Sequence, residues 1–448
     1  MEIQELLGQY FSKMIDTEKN QDYCIKNVDA LSLFCSRRID LVSKYLLLLF
    51  SEQNIASDYA LTIYKRHLLA FNNGKFSEPG NPDKNSFEKY LDTFYSIYND
   101  LKKNGFDKQR SIIPAGEDGV IIDGGHRVAA SAFLGTKLPV AFFSSVEGPT
   151  YNCSFFAERG MKEDDIDFLV DNYCKLKNNI YVCCVWPKIY KRKDILKIEE
   201  ILQQYCSVVY KKSTKMTYNG LRNLQILTYG HQEWVGSIDD GFSNIDSKTS
   251  KCFRKGFTHF YIIESNSLEN VIQVKEIIRN LFKMGKHSIH ITDTQQEARE
   301  VIDVVLNNNS LVFNNYYGDY TNVGRIKTIR SIDKNTIFYP GLSLLFFNNT
   351  NCKSASSFKV ESYPIDIHYD TRNYFFFDNK KMLAPQQLFL LFKNELGLSK
   401  PIVFNKNKNN RLFALRLKYK CKRAVVSFLK KTHLLNFAIK IKNWRKHE

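Results

Sequence analysis

The chain has 448 residues, of which 44% are hydrophobic and 25% charged, with a net charge of +17. This length predicts two to four domains, and the hydrophobic content excludes a chain that is disordered throughout. The longest aliphatic run, Leu46–Leu49, is far shorter than the roughly 20 apolar residues of a membrane-spanning helix, and the acidic N-terminus lacks signal-peptide features, which predicts a cytoplasmic protein. Ten scattered cysteines without a Cys-x-x-Cys motif or a zinc-finger spacing predict free thiols.

Hydrophobic spacing predicts helices first and then alternating strands and helices over residues 1–150, with a loop rich in Gly and Pro at 71–82. The predicted helices are Ile3–Met14, Val28–Phe50, Asp58–Leu69, Ser86–Asn104 and Val128–Leu134, and the predicted strands are Ser111–Pro114, Val120–Ile122 and Leu138–Phe143. We therefore expect a helical extension at 1–70 and an α/β core at 71–150.

Residues 151–325 predict a second α/β domain. Its predicted strands are Asn179–Val185, Phe257–Ile263 and His287–Ile291, and its predicted helices are Lys193–Tyr205, Leu268–Met284 and a helix to Leu306 opened by a Thr-x-x-Glu capping box at Thr294. Residues 326–404 predict a mixed α+β region with a strand at Asn373–Phe377 and a helix near Pro385–Glu395.

Most of the positive charge lies at one end of the sequence. Residues 406–448 contain 14 lysines and arginines and a single acid. Apolar residues recur there at helical spacing, which predicts a basic amphipathic tail at 405–448 that begins with an Asn/Lys linker. An anionic membrane surface is the partner we favour, with peripheral attachment to its inner face, while docking on the protein's own body and nucleic-acid binding remain open.

A turn of sequence Asp-Gly-Gly-His-Arg lies between a predicted strand and a predicted helix. Gly124 and Gly125 let the backbone approach a ligand, and the helix that follows offers unpaired N–H groups at its positive end. His126 and Arg127 add donors, and Asp123 can hold a magnesium ion or orient a reacting hydroxyl. The pattern predicts a phosphate-binding turn. The alternative is a plain strand-turn-helix corner with the arginine in a surface ion pair.

The segment Val120–Ala130 resembles the ParB/sulfiredoxin superfamily, whose members carry a strand, a Gly-x-x-Arg turn and a helix that begins with small residues. Leu134–Val140 and Leu101–Pro114 match the elements that follow and precede this turn, so the resemblance spans residues 71–145. It implies an α/β (α+β) fold with a ParB/sulfiredoxin-like nucleotide-binding core. The Asp-Gly-x-His-Arg turn resembles the free serine and polyol kinases rather than the CTP-binding partition proteins, which carry Gly-Glu-Arg-Arg.

The kinase resemblance implies ATP (or ADP) and Mg²⁺ as cofactors, and a small molecule with a free hydroxyl as substrate: a sugar, a polyol or a hydroxy amino acid. In that branch an upstream acid activates the hydroxyl, and Glu78 is its best match here. Lys84 would contact phosphate or substrate, and Asp123 and His126 would complete the catalytic set, with Asp123 as the metal ligand. Residues 124–127 would hold the phosphates.

Three candidates in the second domain, His290, Asp293 and Thr294, lie where a predicted strand meets a capped helix, a common ligand position. Ordinary strand and cap residues are the alternative interpretation. His287 and His290 are expected on opposite faces of a strand, which makes them poor joint metal ligands. The Gly-x-x-Lys and His-Ser-x-His segments, together with the tail, resemble proteins of bacterial surface-polysaccharide clusters.

The sequence thus predicts an ATP-dependent small-molecule kinase that serves surface-polysaccharide synthesis. One alternative is a ParB-like nucleic-acid-binding protein, which the neutral body disfavours because the excess charge lies in the tail. Another is a non-catalytic scaffold at the membrane. Residues 326–400 faintly resemble a nucleotidyltransferase, but Gly341–Ser343 lacks the Asp-x-Asp that would bind metal, so that site would be degenerate.

Overall fold

A computed structural model describes residues 3–7, 22–52, 58–78, 80–330, 338–339, 358–359 and 374–383. These residues form a mixed α+β protein with small sheets and many helices, as predicted. The predicted helix at Pro385–Glu395, the basic tail at 406–448 and most of the nucleotidyltransferase-like region lie outside the described residues.

The first part of the chain contains a three-stranded sheet. Its strands are β1 (Tyr23–Asp29), β2 (Ile113–Gly116) and β3 (Lys137–Phe143), in the order β1-β3-β2. Strand β3 pairs antiparallel with β1 and parallel with β2. The helices are α1 (Ile3–Leu7), α2 (Asp40–Glu52), α3 (Asp58–Phe71), α4 (Phe87–Asn104), α5 (Gly125–Phe133), α6 (Cys153–Glu158) and α7 (Glu163–Lys175).

Helix α5 positions the turn, because it packs against both α2 and α4. Helix α4 begins as the sequence predicts: the Ser86 hydroxyl accepts a hydrogen bond from the Lys89 N–H, and Gly105 at φ +75° ends the helix. Small residues cover α5 over Val128–Ala132, all of them buried, which lets the neighbouring helices approach it closely.

The second part contains a four-stranded antiparallel sheet with the order β5-β6-β4-β7. Its strands are β4 (Ile180–Val185), β5 (Ser207–Lys215), β6 (Phe257–Glu264) and β7 (Ile289–Ile291). Its helices are α8 (Arg192–Tyr205), α9 (Tyr218–Tyr229), α10 (Ile245–Cys252), α11 (Leu268–Phe282), α12 (Gln295–Val305), α13 (Asn308–Tyr316) and α14 (Val323–Arg330).

Strand β4 lies inside this sheet and all six of its residues are buried. Its alternate residues enter two different cores, as the two-residue period of a strand requires. Tyr181, Cys183 and Val185 pack with α8 and α11, whereas Val182 and Cys184 pack with α9 and α12. The sheet is therefore covered by helices on both faces.

Four short strands complete the described fold: β8 (Phe338–Tyr339), β9 (Phe358–Lys359), β10 (Tyr374–Phe377) and β11 (Lys380–Leu383), in the order β10-β11-β8-β9. The predicted strand at Asn373–Phe377 is confirmed over Tyr374–Phe377. It packs on α13, where the rings of Phe313 and Phe375 lie 4.5 Å apart.

Three predicted elements differ from the structure. The single helix over Val28–Phe50 is wrong, because β1 pairs with β3 and a 3₁₀ turn at Ala30–Leu33 follows before α2 begins. The strand Val120–Ile122 is reduced to one isolated bridge between Ala115 and Ile121. The strand His287–Ile291 is shorter than predicted, since residues 285–287 form a 3₁₀ turn instead.

Candidate functional site

A pocket of about 370 Å³ opens beside the Asp-Gly-Gly-His-Arg turn. Residues of α2, α3, the loop between α3 and α4, and the turn itself form its walls. Its volume falls within the range of small-molecule sites. Of the predicted site residues, Glu78, Asp123, Gly125 and His126 line this pocket. Glu78 and the turn, which lie far apart in the sequence, therefore line the same cavity.

The backbone at the turn requires glycine. Gly124 has φ +82° and caps α5, and a Cβ placed on it would lie 2.5 Å from Ile113 Cδ1. The first helical hydrogen bond runs from the Val128 N–H to the Gly124 carbonyl oxygen. The N–H groups of the first turn of α5 therefore have no partner within the helix, which suits an anion.

Asp123 and Arg127 form an ion pair, with the Arg127 Nη2 atom 3.1 Å from Asp123 Oδ2. Both side chains are about one-quarter exposed, at 28% and 24%. Asp123 lines the pocket, whereas Arg127 lies behind it and Gly124 is outside the lining. Arg127 therefore orients the Asp123 carboxylate and does not line the cavity.

His126 contributes a neutral imidazole. Its Nε2 lies 2.8 Å from the Tyr64 hydroxyl oxygen, and its ring lies 4.8 Å from that of Phe94. Burial and the neighbouring Lys44 and Lys84 cations hold the pKa of His126 well below its usual range. It can exchange a hydrogen bond with a ligand at neutral pH, but it does not supply a positive charge.

Glu78 and Lys84 form an ion pair at the same pocket. The Lys84 ammonium lies 2.5 Å from Glu78 Oε2 and 5.4 Å from the centre of the Tyr90 ring. Lys84 is buried outside the pocket lining, while the Glu78 side chain is 30% exposed. Lys84 therefore holds the carboxylate of Glu78 in the cavity wall, and its predicted contact with phosphate or substrate stays a prediction.

Sequence reasoning missed a buried ionic network on the floor of the pocket. Arg38 donates to both Asp40 carboxylate oxygens at 2.8 and 2.9 Å, and Lys44 donates to Oδ2 at 2.8 Å. The side chains of Arg38, Asp40 and Lys44 are only 4%, 1% and 6% exposed. Burial alone would raise the pKa of Asp40, but the two cations outweigh it and hold that pKa well below its usual range.

His67 completes this floor. It is fully buried and lines the pocket, and the Tyr64 backbone carbonyl is the one group in reach of its ring among the described residues, so at least one ring nitrogen has no hydrogen-bond partner. Burial, together with Lys44, holds the pKa of His67 well below its usual range, so the ring is neutral. A buried polar group without a partner is costly, and a polar ligand in the pocket would satisfy it. The sequence feature that could have indicated this ionic network is the pair of Asp40 and Lys44, four residues apart in a largely apolar helix.

The second-domain candidates lie in a different and larger pocket of about 1290 Å³. His290 Nε2 lies 2.8 Å from Glu297 Oε1, and the Asp293 N–H donates to Glu297 Oε2 at 2.7 Å. The Thr294 hydroxyl accepts from the Glu297 N–H at 3.1 Å, which confirms Thr294 as the helix cap. The Glu297 carboxylate reaches back to the Asp293 N–H, one residue before the position that a capping box uses. His287 also lines this pocket, so its expected separation from His290 on opposite strand faces is wrong.

Within the described ranges, no three His, Cys, Asp or Glu side chains are grouped closely enough to hold a metal ion by themselves. Mg²⁺ at phosphate sites needs only one or two protein carboxylates, because water and phosphate oxygens complete its shell. Asp123 meets that requirement.

None of the described helices is long and apolar enough to cross a membrane. The cysteines in the same part of the chain are free thiols.

Comparison with protein-family models, with curated proteins and with solved structures finds no match to this chain.

Proposed function

We propose that this protein is a kinase that transfers the terminal phosphoryl group of ATP to a free hydroxyl of a small molecule. The observation that carries the proposal is that Glu78 and the turn of Asp123, Gly125 and His126 line one pocket of about 370 Å³. The turn supplies backbone N–H groups for phosphate, Arg127 orients the Asp123 carboxylate from behind the turn, and Glu78 supplies a carboxylate for the acceptor. The ParB/sulfiredoxin-like core and the kinase branch belong to this proposal, as does a role in surface-polysaccharide synthesis.

Phosphoryl transfer depends on positioning and charge neutralisation more than on covalent help from the protein. In the proposed reaction the acceptor oxygen forms a bond to the γ-phosphorus, and the bond from that phosphorus to the bridging oxygen of ADP breaks. The hydroxyl proton passes to the Glu78 carboxylate. Mg²⁺, held by Asp123, would supply charge neutralisation to the phosphates. His126, being neutral, would serve as a hydrogen-bond partner.

Lys84 and the buried residues on the floor of the pocket support the roles proposed for Glu78 and the acceptor. Lys84 holds Glu78 through an ion pair, so the carboxylate has a fixed position from which to accept a proton. The floor of the same pocket is polar, because the buried residues Arg38 and His67 line it. A polar floor favours an acceptor with more than one polar group, such as a polyol, a sugar or a hydroxy amino acid.

The test is ADP release by the full-length protein with ATP, Mg²⁺ and a panel of polyols, sugars and hydroxy amino acids. An acceptor should stimulate ADP release, and Glu78→Gln should lower kcat by about 10²–10⁴-fold, the usual contribution of a general base. Asp123→Asn should also lower activity. Glu117→Gln and Asp83→Asn are the matched controls, because both residues are exposed and lie outside the pocket. The proposal fails if no acceptor stimulates ADP release, or if the Glu78 and Asp123 variants match their controls.

A further inference from the structure

A second cavity lies in the second domain, away from the turn. It has a volume of about 1290 Å³, between the ends of α9, α10 and α11 and the β7–α12 connection. This volume exceeds what a small alcohol fills and is large enough for a nucleotide-sized ligand. Its two ends differ in charge.

One end is cationic. Lys248, Lys251 and Lys286 line it, and within the described part of the chain no carboxylate forms an ion pair with any of the three. Lys248 is only 6% exposed, and its ammonium donates to the Lys286 carbonyl oxygen at 2.8 Å. Nearby, the buried Nε of Arg279 has no hydrogen-bond partner. Lys248 is thus a buried cation without a carboxylate partner, which is costly, and an anionic group would relieve that cost. Lys251 and Lys286 are exposed and add positive charge at the same end.

The other end is rich in hydrogen-bond acceptors. Glu297 lies in the wall beside His290, and Glu300 lies one helical turn further along α12. The Tyr229 ring lies between the two ends, 4.4 Å from the Lys248 ammonium and 5.0 Å from the His290 ring. Carboxylates accept hydrogen bonds from the hydroxyl groups of a ring such as a sugar.

An aromatic surface lies at the same cavity. Trp234 is 46% exposed, and its ring lies 5.7 Å from the ring of Tyr229. A large exposed indole beside a pocket offers a stacking surface for a planar or sugar ring.

We propose that this cavity is a second ligand site, which binds a compound that carries a phosphate or diphosphate next to a hydroxylated ring. The phosphate group contacts Lys248, Lys251 and Lys286, and the ring lies against Trp234 with its hydroxyls toward Glu297 and Glu300. The site does not depend on the kinase reaction proposed for the first pocket. It uses none of the same residues.

Binding to the full-length protein is measured by calorimetry with three probes: UDP, inorganic pyrophosphate and uridine. UDP should bind most tightly, pyrophosphate more weakly, and uridine weakest of all. Lys251→Gln combined with Lys286→Gln removes two exposed cations and should weaken UDP binding at least about tenfold, since each charge-assisted hydrogen bond is worth that factor or more. Lys193→Gln combined with Lys255→Gln is the matched control, because both lysines are exposed and lie outside the cavity.

Trp234→Phe provides an independent readout. UDP should change the intrinsic fluorescence of the wild type. This change should remain in Trp444→Phe and disappear in Trp234→Phe, because Trp186 is fully buried away from the cavity. The proposal is overturned if UDP does not bind, if uridine binds as tightly as UDP, or if both double variants bind UDP equally. It is also overturned if Asp123→Asn, rather than the lysine pair, abolishes UDP binding, since the ligand would then occupy the first pocket.

Discussion

The buried Arg38–Asp40–Lys44 network makes a quantitative prediction about stability. Asp40→Asn keeps the side-chain volume but leaves two buried cations with no carboxylate between them. Removing one partner of a buried ion pair costs about 3–5 kcal/mol, because the remaining charge is left uncompensated. The amide oxygen can still accept one hydrogen bond, so we expect a loss near the lower end of that range.

The assay is urea unfolding followed by far-UV circular dichroism. With a slope of about 3 kcal/mol per molar urea, a loss of about 3 kcal/mol moves the transition of this part of the chain down by about 1 M. Glu52→Gln is the matched control, because it makes the same chemical change in the exposed pair with Lys102, whose side chain is 52% exposed. That variant should cost less than about 1 kcal/mol. Equal shifts for the two variants would refute the reasoning from burial.

The same network predicts an acid dependence. The folded-state pKa of Asp40 lies well below its value of about 3.9 in the unfolded chain. The stabilisation from Asp40 is therefore fully present above about pH 4 and is lost as the pH falls toward the folded-state pKa. Between pH 5 and pH 3 the wild type should lose more stability than Asp40→Asn. A wild type and variant with the same acid dependence would contradict this assignment.

Three further predictions concern the turn, the second domain and the proposed reaction. Gly124→Ala should destabilise the protein by about 1–3 kcal/mol more than Gly135→Ala in urea unfolding, because both have positive φ but only Gly124 has Ile113 within 2.5 Å of the new Cβ. Thr294→Ala should cost about 0.5–2 kcal/mol through the lost helix cap, whereas a shift below 0.3 kcal/mol would argue against the cap. Lys84→Gln should lower kcat and leave the KM for ATP within about twofold if it positions the catalytic carboxylate; a raised KM would instead make it a nucleotide contact.

The elements that were predicted well are those whose signals are local. Helix α4 has its Ser86 cap, its apolar face and its terminal glycine within one continuous segment. Thr294 lies at the start of α12, and its hydroxyl caps the N–H of the glutamate three residues later. The buried run Ile180–Val185 is a strand for similar reasons, since branched and aromatic residues fill it.

The elements that were missed depend on partners far away in sequence. Tyr23–Asp29 becomes a strand because Lys137–Phe143, more than 100 residues later, pairs with it. Without that pairing, the apolar residues before and within α2 predict one long helix. The pocket also depends on residues that lie far apart in the sequence. Only the family resemblance linked Glu78 to the turn, and no local pattern indicated that Arg38 and His67 line the same pocket.

The composition of the first pocket favours ligand binding over a purely structural role for its floor. Buried ion pairs are weak sources of stability, and well-packed apolar residues in place of Arg38, Asp40 and Lys44 would often be as stable or more so. An apolar residue in place of His67 would likewise remove the cost of a buried imidazole that lacks a partner at one ring nitrogen or both. Gly125 lies against the network, with its would-be Cβ 3.3 Å from Arg38 Nη2, so the turn and the floor are built as one surface. Stability alone does not explain why costly polar groups gather beside a turn whose backbone is open to a ligand, whereas a polar ligand bound in that pocket does.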